Sequence, residues 1–165
     1  RGPCDVNDVR GKTSRNLRAW VFLPDGTLGR SMGKPGQVSS PNGIVVDAQV
    51  IIEVAYRNNS RLIVFSPFGK MLATIGHGIG DGDLGLPRGV AVDEAGRLFV
   101  ADTADHQIRA YMIGTSKATP TYFGSFGTEG QLDGNFEYPN GVATDKRAHI
   151  YITDRENNRV QVWGY

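Results

Sequence analysis

The sequence predicts an all-β fold, a β-propeller built of four-stranded blades, and three observations carry that expectation. A seven-residue element occurs three times: Pro41-Asn42-Gly43-Ile44-Val45-Val46-Asp47, Pro87-Arg88-Gly89-Val90-Ala91-Val92-Asp93 and Pro139-Asn140-Gly141-Val142-Ala143-Thr144-Asp145, at spacings of 46 and 52 residues. Each copy is followed by further β-rich runs, and short strands repeating every 40–50 residues or so mark the blades of a radial array. The 22 glycines among 165 residues suit many tight turns, because glycine takes positive φ at no steric cost. No stretch keeps the i, i+3, i+4 periodicity of a helix for more than two turns.

Taken in order, residues 1–16 carry mixed charge and little alternation, and read as a linker or as the remnant of a degenerate blade. Residues 17–33 form an outer hairpin. Leu17 to Leu23 alternates, Pro24-Asp25-Gly26 is turn chemistry, and Thr27 to Met32 makes the second strand. The hairpin matches 61–76, with Phe22 aligned to Phe65, Pro24 to Pro67, Gly26 to Gly69 and Gly33 to Gly76. The first full repeat spans 34–76, with strands expected near 43–47, 50–56, 61–66 and 71–76. The second spans 77–127, with strands near 89–93, 97–103, 107–112 and 120–126. It carries about six extra residues at 114–119, where an outer hairpin tolerates length. The third, 128–165, supplies 141–145, 149–154 and 159–163 and no fourth strand. Inner runs such as Val90-Ala91-Val92 are continuously apolar, as expected of a strand covered on both faces by neighbouring blades.

Bulk properties exclude some partners. Eighteen Lys and Arg against 17 Asp and Glu give a formal charge of +1, which offers no global reason to expect nucleic acid or an anionic membrane. Cys4 is the single cysteine, so neither an intrachain disulfide nor a Cys-based metal site can form. No apolar run approaches the ~20 residues that span a bilayer. Because the chain begins with Arg1, the lack of a signal segment says nothing about targeting.

The repeats resemble the NHL family. That pattern has a Gly-rich lead with an apolar residue three before a Pro, then Pro-x-Gly-Val-Ala-Val-Asp. It continues with a strand ending Val-Ala-Asp and closes on Asn-His or Asn-Arg-Ile-Gln-Val-Phe. Gly130 to Pro139 fits the lead, and Ile152-Thr153-Asp154 through Asn157-Asn158-Arg159-Val160-Gln161-Val162-Trp163 fits the close. Val100-Ala101-Asp102 through Asp105-His106-Gln107-Ile108-Arg109 also fits, with Gln107 where Arg is usual. The first repeat departs most, since Tyr56 stands where Asp102 and Asp154 stand. The resemblance implies a propeller, usually of six blades. Three repeats and a hairpin make a partial ring, so the chain is expected to be a fragment. The alternative is self-association, in which residues 27–33 of one copy complete the last blade of another.

Residues repeated in every blade are expected to serve the blade. Asp47, Asp93 and Asp145 read as turn makers, and Asp102 and Asp154, with Asn58, Asn59, Asn157 and Asn158, as groups that satisfy backbone in the next turn. Arg61 and Arg159 could pair with these carboxylates. Positions that vary inside the repeat are the candidates for binding: Asn42, Arg88 and Asn140 between Pro and Gly, and Arg57, Thr103 and Arg155 just after the second strand. Gly80-Asp81-Gly82-Asp83 lacks the 12-residue ligand spacing of a calcium loop. His77, His106 and His149 form no zinc spacing. No catalytic set, metal site or cofactor is expected.

These observations lead to a non-catalytic interaction or scaffold module that presents one propeller face to a protein partner or larger assembly. The first alternative is an enzyme resembling the peptide-amidating lyases or a hydrolase. The resemblance implies zinc and a His in the Pro-x-Gly position for that branch, where this chain has Asn42, Arg88 and Asn140. The second alternative is RNA binding, which the resemblance implies for eukaryotic members with basic faces. Near-neutral charge makes nucleic acid the less expected partner. Resemblance to bacterial proteins with such repeats implies a secreted or periplasmic location.

Overall fold

The computed structural model describes residues 19–32, 41–47, 52–56, 60–76, 80–114 and 119–164, all as strands, turns and bends. A hairpin of β1 (Ala19–Phe22) and β2 (Leu28–Met32) comes first. The first blade orders β3 (Pro41–Val46), β4 (Ile52–Tyr56), β5 (Leu62–Phe65) and β6 (Met71–Ile75) as an antiparallel meander. The second repeats this with β7 (Pro87–Val92), β8 (Arg97–Asp102), β9 (Gln107–Met112) and β10 (Thr121–Phe126). The third contributes β11 (Pro139–Thr144), β12 (His149–Asp154) and β13 (Arg159–Gly164). This is a β-propeller arc of four-stranded blades. The expected strands are all found where they fall on described residues, and each inner strand starts two residues earlier than expected, at its proline.

A bulge explains those two residues. Pro41, Pro87 and Pro139 pair with Tyr56, Asp102 and Asp154, and the register slips before Gly43, Val90 and Val142. An extra residue in one strand of a ladder re-aims the side chain it carries. Here that residue is Asn42, Arg88 or Asn140. The glycine that follows is required by the neighbouring blade: a Cβ on Gly43 would collide with the Arg88 carbonyl, and one on Gly89 would lie 2.6 Å from the Asn140 carbonyl. Inner strands of adjacent blades therefore touch backbone to backbone, next to the variable residue.

Among the described residues, one apolar core fills the seam between the first and second blades and another the seam between the second and third. Leu62, Val64, Ile75, Leu84, Leu98, Val100, Tyr111 and Ile113 fill the first. Phe99, Ala101, Ile108, Ala110, Phe136, Ile150 and Ile152 fill the second, with Phe126 and Trp163 packed against them. The outer face of the third blade shows what such a seam removes from water. Val160 and Val162 are 59% and 57% exposed, while Ile108 and Ala110, at the same repeat positions, are 0% and 3% exposed. The expectation that inner strands are covered on both faces holds for the second blade. It fails for the first, where Ile44 and Val46 stay exposed because no described strand covers that side.

The repeated aspartates behave as frame. Asp102 accepts the Gly85 and Leu86 N–H groups at 2.9 and 2.8 Å and Arg109 Nε at 2.9 Å. Asp154 accepts the Glu137 N–H at 2.6 Å, Asn157 and Arg159 at 2.9 Å and Gln161 at 3.0 Å. Each carboxylate thus pins the lead segment of its own blade to the end of the second strand. Arg159 pairs with Asp154 as expected. In the second blade Gln107 holds that position, and the arginine comes from two residues further on, at Arg109. Asp93 and Asp145 close their turns by accepting backbone N–H groups two and four residues ahead.

Candidate functional site

The bulged starts of the inner strands and the turns after the second strands lie at one end of the blades, because Pro87 pairs with Asp102 and Pro139 with Asp154. At this end, the seam between the second and third blades gathers most of the variable residues. Arg88 Nη1 donates to Asn140 Oδ1 at 3.5 Å across the two inner strands. One residue before Pro139, Tyr138 is 40% exposed and holds φ = 54°, a conformation that is an outlier for a bulky side chain. Its ring lies 4.5 Å from that of His106 on the second blade, and Arg155 of the third blade sits 5.5 Å from its centroid. The Tyr138 N–H donates to His106 Nδ1 at 3.4 Å, and the same nitrogen lies 3.3 Å from the Phe136 carbonyl.

Of the six residues singled out from the sequence, Arg88, Asn140 and Arg155 stand at this seam, and Asn42 is exposed at the matching place in the first blade. Thr103 points inward. It is 1% exposed, and its hydroxyl donates to the Pro139 carbonyl at 2.7 Å, so it staples the two blades. Arg57 lies outside the described residues. Arg155 also pairs with Glu156, at 2.6 Å between exposed side chains; such a pair contributes about 0–1 kcal/mol and exchanges readily.

Tyr138 and His106 did not stand out in the sequence reading. Tyr138 occupies the position of Leu86 in the second blade, so a phenol replacing an aliphatic residue before the proline was the available signal. His106, Asn158 and Ser60 share one repeat position and all hold positive φ, at 56°, 51° and 47°. That backbone requirement explains the local preference for His or Asn, and hides the ring contact.

The opposite end of the same blades is built differently. Asp93 pairs with Arg97 at 2.6 Å, while Asp145 pairs with His149 at 2.9 Å and accepts Tyr151 Oη at 3.1 Å. The His149 side chain, followed by the backbone N–H groups, holds the Asp145 carboxyl well below the usual carboxylate range. Asp83 accepts the Gly80 N–H within its own turn. Among the described residues, no group of three or more His, Cys, Asp or Glu is placed to hold a metal ion. No helix of the described residues is long and apolar enough to cross a membrane.

The NHL repeat pattern matches residues 84–111 and 136–163, the second and third blades from the lead residues Leu84 and Phe136 onward. The chain carries NHL repeats. Among curated proteins it is 29% identical to the protein brain tumor of Drosophila melanogaster, over 78% of this chain and 12% of that protein. It is 31% identical to the E3 ubiquitin-protein ligase TRIM71 of Gallus gallus, over 45% of this chain and 12% of that one. A 39-residue stretch is 51% identical to the protein wech of Drosophila melanogaster. The chain therefore spans about an eighth or less of these relatives. Among solved structures, a nidogen–laminin complex matches with a TM-score of 0.65 at 22% identity, covering 90% of this chain and 51% of that one. A streptogramin B lyase matches with 0.63 at 11%, covering 90% and 48%. At those identities the shared property is the propeller fold.

Proposed function

We propose that the NHL repeats form a non-catalytic interaction module that docks a protein partner on the Tyr138 end of its blades. One observation carries the reading: a half-exposed aromatic ring, held in a costly backbone conformation between His106 and Arg155, beside the Arg88–Asn140 pair. Strained, pre-positioned residues concentrate where a fold does something besides fold. Tyr and Arg are also the residues that dominate binding energy in interfaces. The test is affinity capture followed by identification of the bound protein and its titration. Tyr138→Asn keeps a residue that tolerates positive φ but removes the ring, and should weaken partner binding at least about tenfold, as should Arg155→Ala. Lys146→Ala, at the opposite end, should change nothing. Equal binding by all three variants would rule the face out.

A second reading, RNA binding, is favoured by the same stack. An aromatic ring with arginines beside it suits unpaired bases and the phosphates between them. The near-neutral charge that made nucleic acid the less expected partner finds no support in the relatives, which are eukaryotic proteins of the kind that the NHL resemblance links to RNA. A binding constant that falls steeply with salt would favour RNA over a protein partner.

The enzyme alternative is weaker. A zinc site of the lyase type needs His where this chain has Asn42, Arg88 and Asn140, and these residues do not fit it. Zinc found by elemental analysis would reverse the preference. Completion of the ring by further blades or by a second copy, a scaffold role and an extracytoplasmic location are parts of the same proposal that rest on resemblance alone. The intact mass of the natural protein tests the first.

A further inference from the structure

We propose that His106 is a pH-sensitive latch that sets the pose of Tyr138, a device of the seam between blades that holds whatever docks there. The imidazole is 7% exposed, and one of its nitrogens faces two groups with opposite demands. Nδ1 lies 3.4 Å from the Tyr138 N–H, which it accepts only through its lone pair. The same atom lies 3.3 Å from the Phe136 carbonyl, to which it donates only when it carries a proton. It cannot serve both. The neutral ring with its proton on Nε2 holds Tyr138, and the imidazolium, protonated on both nitrogens, turns to Phe136 and lets Tyr138 go.

The bonds around the ring assign the neutral form to Tyr138. The Phe136 carbonyl already accepts the Gly130 N–H at 3.1 Å, whereas among the described residues the Tyr138 N–H has His106 as its acceptor. The residues on either side of Tyr138 are held without His106. The Phe136 N–H donates to the Thr128 carbonyl at 2.8 Å, the Glu137 N–H to Asp154 at 2.6 Å, and the Pro139 carbonyl accepts the Thr103 hydroxyl at 2.7 Å. Tyr138 is the loose link between these anchors, and its φ of 54° is costly for a bulky residue. Loss of the N–H bond removes what offsets that cost. The charged and titratable groups on the elements packed against His106 are Asp102, Asp105 and Arg109 of its own blade, bonded together, and Glu137, Tyr138, Arg155 and Glu156 of the third, where Arg155 pairs with Glu156. An imidazolium also adds a second cation to a ring that already has Arg155 at 5.5 Å, so the two compete for one π face.

The test is solution NMR of the whole protein, following the histidine ring nitrogens and the Tyr138 amide from about pH 8 to about pH 5. At the upper end His106 is expected as the Nε2–H tautomer, with Nδ1 bare. On acidification the Tyr138 amide resonance should shift with the same midpoint as the His106 ring. His149, which pairs with Asp145 at the other end of the third blade, should titrate without moving Tyr138. His106→Asn keeps a residue suited to the positive φ, as Asn158 is at the matching position, and should abolish the pH-dependent shift. The wild-type titration decides the matter by itself if that variant does not fold. A proton on Nδ1 at about pH 8, a Tyr138 amide that ignores the His106 titration, or a shift that persists in His106→Asn would each overturn the proposal. With a captured partner, binding should weaken at least about tenfold over the same range in wild type and less than about twofold in His106→Asn. Coupled resonances with unchanged binding would support the latch and count against docking at Tyr138.

Discussion

The second and third blades solve one structural problem with different residues, and the differences separate frame from function. Both pin a lead segment with a fully covered aspartate, yet arginine and glutamine have exchanged places around it, Gln107 and Arg109 in one, Arg159 and Gln161 in the other. A network that survives such an exchange belongs to the blade. Leu86 against Tyr138, Arg88 against Asn140 and Thr103 against Arg155 are not exchanges of equivalent parts. The frame does not need them to differ, and they cluster at one end of one seam.

The surroundings of the two aspartates differ as well. Burial pushes the Asp102 carboxyl above its ordinary value of 3.8, against the pull of Leu86, Gly85 and Arg109. Burial also pulls on Asp154, but the Glu137 N–H, Asn157, Arg159 and Gln161 outweigh it and hold the carboxyl below 3.8. Among the described strands the second blade is flanked on both sides and the third on one, so Asp102 loses more hydration.

The largest expected effect tests the shared frame. Asp102→Ala and Asp154→Ala each strand several donors, three of them at Asp102 and four at Asp154, and should cost about 3–5 kcal/mol in urea unfolding. Next comes the asymmetry between the glycines. Gly89→Ala drives a methyl into the backbone of Asn140, Gly141 and Val142 and should cost about 3 kcal/mol. Gly141→Ala meets only the Thr153 side chain, at 3.0 Å, and should cost under about 1 kcal/mol in the same chain.

Ala148 holds φ = 63° at the position where the second blade has Gly96, at 77°. Ala148→Gly should therefore raise stability by about 1 kcal/mol, and Gly96→Ala should lower it by a similar amount. The smallest effect is a matter of sign with pH. For Asp154, whose folded pKa is lowered, the stability gap between wild type and the Asn variant is full above pH 3.8 and shrinks as pH falls through the folded value. For Asp102, whose folded pKa is raised, the gap is full below 3.8 and shrinks as pH rises through the folded value. Gaps that move the same way in urea titrations at several pH values would show that the two sites are equivalent.

Most of the strand order was legible because a repeat prints its register in the sequence: Pro, Gly and Asp recur at fixed offsets, and each offset has a backbone reason. The bulge was not, since Pro-x-Gly reads equally well as a turn leading into a strand. The candidate site was half legible. Variation inside the repeat pointed to Arg88, Asn140 and Arg155. It could not say that Thr103 turns inward to Pro139 while Arg155, at the same position, turns to Tyr138. The third blade covers Thr103, while among the described residues no blade covers Arg155, which turns to Tyr138.

The most direct measurement is a hydrogen-exchange footprint of the complex with the captured partner, comparing the two ends of the same blades. Docking on the Tyr138 end predicts slowed exchange at 103–106, 138–140 and 155–158, with 93–96 and 145–148 unchanged. Protection confined to 93–96 and 145–148, around Arg97 and His149, would contradict it.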